Sequence, residues 1–313
     1  MTTTQFTDLW PLILQAQDSI FQAIAASTQA KLGEWIRLIQ VPKPKYVFHF
    51  IYIVENFNPY HLSVSDYQRR DPFDNPQLVA DNFAQFAALG FVQPINTEVY
   101  QITEKGYDIR QQRWQILNEI LAEVNLLATA DLQHLLALLQ QVVEATAVVP
   151  EPPPKWAMTI RQEHGLKLIE NSHPLFRFIN YRMDLGAYRD DAHLATWRNA
   201  FTISPSAWEA FSHIWSGQAN TLDLLLQQLS RRGYPQSTYT TALQDLQQRD
   251  WVIKDGNSYR LTEAGQNIRQ TAEQQTNDSF YKPWSILNHD EIEKLYTLLK
   301  QLTQDPDFSL NFI

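Results

Sequence analysis

Apolar positions recur at helical spacing along most of this chain, and the same succession of elements is written twice. Residues 10–38 and 174–200 follow the three-to-four-residue period of a helix with one buried face. Residues 44–56 and 205–216 predict short aromatic-rich helices, 61–70 and 220–232 a second pair, and 76–89 and 235–249 a third. Turns at Asp71-Pro72 and Gly233-Tyr234-Pro235 precede the third pair. Pro76 and Pro235 sit at helix starts, where a missing N–H leaves no helical bond unmade. Two short apolar runs then flank a turn in each half: Phe91-Val92 with Val99-Tyr100, and Trp251-Val252-Ile253 with Tyr259-Arg260-Leu261. Asp255-Gly256 is a hairpin signal because both positions tolerate positive φ. Thr103-Glu104 and Thr262-Glu263 begin helices over 104–125 and 263–281, and striped helices over 129–145 and 288–302 complete the halves.

Identity reinforces this parallel. Tyr100-Gln-Ile-Thr-Glu-Lys-Gly-Tyr-Asp-Ile-Arg-Gln111 returns 159 positions later as Tyr259-Arg-Leu-Thr-Glu-Ala-Gly-Gln-Asn-Ile-Arg-Gln270, with seven of twelve residues identical. Phe83, Phe86 and Val92 correspond to Leu243, Leu246 and Val252, and Leu132, Leu135, Leu138 and Leu139 to Ile292, Leu295, Leu298 and Leu299. A repeat of this kind sets the architecture before any single residue is interpreted. Helix, turn, helix and β-hairpin make a winged helix. The expected fold is therefore mainly α with small β-wings: two winged helix-turn-helix units arranged as an intramolecular pseudo-dimer. The expected divisions are 1–147, a proline-rich linker at 148–156 where Pro150 and Pro152-Pro153-Pro154 favour extended backbone, and 157–313.

Composition narrows the chemistry. The 313 residues suffice for two cores, and 44% hydrophobic with 19% charged residues is the balance of a folded chain. With no cysteine, disulfides, thiolate metal sites and cysteine nucleophiles are excluded. No Gly-x-Gly-x-x-Gly, Walker-type, Gly-x-Ser-x-Gly or His-Glu-x-x-His motif occurs, so no catalytic residue, metal ligand or cofactor is expected. The start lacks a basic, apolar leader and no stretch reaches the roughly 18 apolar residues of a membrane span, which makes a cytoplasmic protein the expectation. The net charge of −9 is the wrong sign for coating nucleic acid, and leaves room only for a local basic face.

With its two terminal apolar helices, this succession resembles the MarR-type winged-helix repressors, whose terminal helices interdigitate in a dimer. Here both subunits would be halves of one chain. A closer resemblance, to the SalK-like tandem winged-helix family, rests on Tyr188-Arg-Asp-Asp-Ala-His-Leu-Ala-Thr-Trp-Arg198, Trp208-Glu-Ala210, Ser230-Arg-Arg-Gly-Tyr234, Leu261-Thr-Glu-Ala-Gly265, Thr276-Asn-Asp278 and Pro283-Trp284. It covers the second half well and the first in outline, and implies a fold more than an activity.

Duplex DNA is the first expected partner. The third helix of each unit would enter successive major grooves, presenting Gln77, Asn82 and Gln85, and Gln236, Ser237, Thr238, Thr241 and Gln244 to base edges or phosphates. Phosphate contacts would come from Arg69, Arg70, Arg231, Arg232, Lys254 and Arg260. Against this, neither helix carries a lysine or arginine in its middle, Asp81 and Asp245 would face or flank the polyanion, and Glu98 tips the first wing, so the alternative is a reused scaffold whose polar helices face water. A small-molecule effector is the second expected partner. Tyr188, Arg189, Asp190, His193 and Trp197 cluster in the second half only, with Arg189, His193 and Trp197 on one helical face. MarR-type proteins bind effectors in the comparable place. The competing account is structural: Asp190 or Asp191 caps a helix, Arg189 forms an ion pair and Trp197 fills core. The aromatics of 46–60 are expected to pack between the halves, and the tail Phe308–Ile313 to dock on the body or on another chain. A monomeric covalent pseudo-dimer or a homodimer fits equally.

Overall fold

The computed structural model describes residues 6–165 and 172–303, so the apolar tail at 308–313 lies outside the described residues. The first half contains α1 (Leu9–Ala23), α2 (Ala25–Ile39), α3 (Pro44–Asn56), β1 (Leu62–Ser63), α4 (Val64–Arg70), α5 (Pro76–Ala88), β2 (Val92–Pro94), β3 (Val99–Ile102), α6 (Glu104–Leu121) and α7 (Thr129–Val148). After a proline-rich segment come α8 (Trp156–His164), α9 (Pro174–Ala200), α10 (Pro205–Trp215), α11 (Leu222–Gln228), α12 (Gln236–Gln248), β4 (Val252–Asp255), β5 (Ser258–Leu261), α13 (Glu263–Phe280) and α14 (His289–Thr303). The described residues are thus mostly helical, with two small antiparallel sheets: β1-β3-β2 and β4-β5.

Three apolar cores organise these elements. The central one draws on both halves, joining Ile13 and Ile20 of α1, Leu135 and Leu139 of α7, Phe178 of α9 and Leu295 and Leu299 of α14. Its packing is reciprocal: α1 lies against α14, and α9 against α7, so α1 and α9, which the repeat makes counterparts, each meet the last helix of the other half. A second core, including Trp35, Phe50, Phe86 and Phe91, belongs to the first half. A third, around Trp208, Phe211, Leu243 and Val252, belongs to the second.

The same local bonds recur at both hairpins. Thr103 caps α6 by accepting from Gly106 N at 3.1 Å, and its hydroxyl donates to Gly90 O at 2.7 Å. Thr262 caps α13 by accepting from Gly265 N at 2.9 Å and donates to Asp250 O at 2.5 Å. Gly106 and Gly265 lie against the carbonyls of Phe91 and Trp251, where an added Cβ would collide. Hydroxyl caps of this type satisfy helix-start amides that would otherwise lack partners.

Several elements differ from the sequence expectation. The helix expected over 10–38 is two, because Ile24 leaves helical geometry and redirects α2 from the central core to the first-half core. A one-residue break preserves apolar periodicity and so leaves no trace in it. The 61–70 segment opens with β1, paired to β3, before Ser63 caps α4. The 220–232 segment is α11 plus a separate helical turn at Ser230–Arg232, ended by Gly233 at φ 72°. The helix α8 was not anticipated; it begins just after the prolines and packs on α3, α4 and α9.

Candidate nucleic-acid interface and inter-half cavity

In the second half, α10, α11 and α12 with the β4–β5 hairpin form a helix-turn-helix followed by two strands. Its third helix buries Tyr239, Ala242, Leu243 and Leu246, leaving Gln236, Ser237, Thr241 and Gln244 exposed and Thr238 half-buried. Ser237, Thr238, Thr241 and Gln244, with Asp245, share a shallow groove with Ser204 and Ser206 at the start of α10. The two serines were missed by sequence reasoning, because only the fold brings that helix start beside α12. Lys254 and Arg260 are exposed on the hairpin.

The corresponding first-half surface is partly covered. Gln77 is exposed but donates to Asp81 at 2.9 Å, while Asn82 and Gln85 are half-buried. Asn75, the cap of α5, donates its backbone N–H to the Arg232 carbonyl at 2.9 Å and its side-chain amide to Gly233 O at 2.8 Å. Leu78 of α5 lies against Gly233. The starts of α5 and α12 are therefore stitched together. The expectation of helices in successive grooves, about 34 Å apart, is not the arrangement seen here.

The expected phosphate contacts divide into two groups. Arg69, Arg231, Lys254 and Arg260 are exposed, with Arg69 also stacked 5.1 Å over Trp156. Arg70 and Arg232 are committed inside the molecule. Arg70, with a side chain only 8% exposed, donates to Asp190 at 2.9 Å and to Asn56 O at 2.8 Å. Arg232 donates to Asp74 at 2.7 Å, to Asp71 at 3.2 Å and to Glu209 at 2.6 Å. Burial pushes the Asp71 and Glu209 carboxyls up, and Arg232 opposes this in both.

The charged cluster of the second half lies along α9, and its members point to different tasks. Asp191 accepts from Ala157 N and Met158 N, both at 2.9 Å, and so caps α8; burial raises its carboxyl to about 6. Tyr188 is fully buried and donates to the Glu151 carbonyl, while Trp197 fills the second-half core. Arg189 pairs with Glu273 at 2.5 Å and with Asn277 at 2.9 Å. Burial pulls the His193 imidazole down to about 4, and its Nε2 lies 3.3 Å from the Trp208 indole N–H. It is neutral near pH 7.

Arg189, Asp190 and His193 nevertheless border a cavity of about 650 Å³ between the halves, whereas Tyr188 and Trp197 do not. The first-half wall comes mainly from α1, α3 and α6, with Arg70 of α4, and Thr276 of α13 adds to the second-half side; Phe48 and Tyr52 open into the cavity instead of packing between the halves as expected. Arg113 and Arg182 also line it. Arg182 escaped the sequence reading although Arg182, Gly186, Arg189 and His193 are spaced along one face of α9; continuing that face backwards from Arg189 would have found it.

Among the described residues no helix is long and apolar enough to cross a membrane, and no cluster of three or more His, Asp or Glu side chains is placed to hold a metal ion. No curated protein and no solved structure matches the chain. Residues 170–306 do match the model of a helix-turn-helix family, and this second half carries a helix-turn-helix domain.

Proposed function

We propose that the chain is a DNA-binding regulator of the winged-helix, MarR-like kind, closest in pattern to the SalK-like tandem proteins and working in the cytoplasm. Its units are 1–147 and 157–313, joined through 148–156 as a covalent pseudo-dimer. Reciprocal packing of α1 on α14 and of α9 on α7 supports that pairing. The observation that carries the DNA reading is the exposed polar face of α12, Gln236, Ser237, Thr241 and Gln244, within the stretch that matches the helix-turn-helix family. Amides and hydroxyls of this kind pair with base edges and phosphates. The start of α10 beside it adds a helix N-terminus suited to a phosphate.

The DNA-contacting set narrows accordingly. Lys254, Arg260, Arg231 and Arg69 are exposed and can meet phosphates, Arg260 and Arg69 by leaving surface pairs with Asp255 and Asp66, whereas Arg70 and Arg232 hold the molecule together. Selection of genomic fragments at low salt is expected to enrich a discrete site, with affinity falling steeply as salt rises. Replacing Thr241 and Gln244 together by alanine should remove sequence preference while leaving the melting temperature unchanged. Absence of any enriched fragment refutes the reading.

A second reading is favoured by the internal commitment of Arg70 and Arg232 and by the cavity between the halves: a ligand-binding or accessory protein that keeps the scaffold without contacting DNA. Ligand binding in the absence of any selected DNA site distinguishes it.

A further inference from the structure

The cavity between the halves has two kinds of wall, and together they define a ligand class. One wall is aromatic and apolar: Trp10 and Phe21 of α1, Phe48 and Tyr52 of α3 and Met183 of α9. Phe21, Phe48 and Tyr52 are 36%, 42% and 42% exposed, so three of the ten exposed large apolar residues among the described residues gather around one cavity. Open aromatic area of this sort marks a surface that gains from being covered.

The other wall is cationic. Four arginines line the cavity, Arg70, Arg113, Arg182 and Arg189, against the carboxylates Glu55 and Asp190. Arg70 and Arg189 have close acidic partners. Arg113 stands 3.8 Å from buried Glu55 and stacks on Trp114. Arg182 has no carboxylate within ion-pair distance among the described residues: it stacks 5.8 Å from the Trp10 ring, its Nε has no hydrogen-bond partner, and burial pulls its guanidinium down. Asp190 and Asp18 act on it only from beyond ion-pair distance; a desolvated guanidinium without a close counter-ion is costly, and an anion delivered to it recovers that cost.

Gly186 completes the site. It sits mid-way along α9, where glycine disfavours the helix, and a Cβ there would stand 3.6 Å from the Trp10 ring and 3.7 Å from Arg182 Nη1. Any longer side chain would project among these groups.

We propose that this cavity binds an amphipathic organic anion, its acidic head held by Arg182 and Arg113 and its flat apolar body lying against Trp10, Phe21, Phe48 and Tyr52. A volume of about 650 Å³ suits a small organic molecule. This rests on the ligand-binding reading and is independent of DNA contact.

The test uses the full chain and two fluorescent probes of like shape, the anion 1-anilinonaphthalene-8-sulfonate and the neutral N-phenyl-1-naphthylamine. The anion is expected to bind saturably at one equivalent and more tightly than the neutral probe. Arg182→Met should weaken the anion at least about tenfold with no fall in melting temperature, since it removes a half-buried charge that has no close carboxylate, and should leave the neutral probe unaffected. Gly186→Leu, which fills the cavity while keeping both arginines, should abolish binding of both. If both probes bind equally and Arg182→Met changes neither, the anion assignment fails while ligand binding stands. If neither probe saturates, or Gly186→Leu leaves binding intact, the cavity is not the site and both readings fail.

Discussion

Arg232 and Asp74, 158 positions apart, are joined by a 2.7 Å bond from Nη1 to Oδ1 at a point where the two halves meet. The same guanidinium reaches Asp71 from the first half and Glu209 from the second, so one side chain holds three carboxylates with a side chain only 10% exposed. Removing one partner of such a network leaves the others buried and uncompensated, which is far costlier than loss of a surface pair.

Arg232→Met is accordingly expected to destabilise the fold by about 3–5 kcal/mol, read from urea unfolding. Arg232→Lys should recover only part of this, since one ammonium cannot reproduce the forked geometry. A variant within 1 kcal/mol of wild type, about the scale of an exposed pair, would show that the clamp is not structural.

The two glycines beneath the hairpins give a sharper contrast. An alanine Cβ at Gly265 or Gly106 would collide with the carbonyl of Trp251 or Phe91, and each substitution should cost about 1–3 kcal/mol or more. Gly33→Ala, on α2 with nothing within 4 Å of the added Cβ, should instead stabilise by about 0.5–1 kcal/mol. Thermal melts of the three variants check both signs.

His193 makes stability depend on pH. Burial lowers its value from 6.5 unfolded to about 4 folded, so its contribution is complete above pH 6.5 and is lost as pH falls toward 4. The loss is about 3 kcal/mol at most, and His193→Gln is free of it. Asp191, raised to about 6, acts in the opposite sense in both proteins and cancels in their comparison. Unfolding curves between pH 7 and 4 should therefore show wild type losing ground steadily to the variant; parallel curves would place the imidazole in contact with water.

Charge removal separates DNA contact from scaffold. Lys254→Gln and Arg260→Gln, both on the exposed hairpin, should each reduce the slope of log affinity against log salt by about 0.9 without altering the melting temperature. Arg70→Gln should do the reverse, lowering stability through loss of the Asp190 and Asn56 bonds and leaving the slope unchanged.

Local features were legible in the chain itself. Helical period, the prolines at helix starts and Asp255-Gly256 located most elements within a few residues, because each reflects backbone chemistry over one or two turns. The repeat around Tyr100 and Tyr259 located both hairpins and the caps Thr103 and Thr262. What the α9 cluster does was decided elsewhere: Asp191 is a cap only because α8 comes to it, Arg189 is an ion pair because α13 supplies Glu273, and Arg182 has no carboxylate in ion-pair contact because α1 sets Trp10 against it and Asp18 farther off. Arg232 likewise looks like a phosphate contact until Asp71, Asp74 and Glu209 converge on it. Periodicity reports which face of an element is buried, whereas a charge takes its role from whatever stands opposite, and for these residues that neighbour lies tens to more than a hundred positions away.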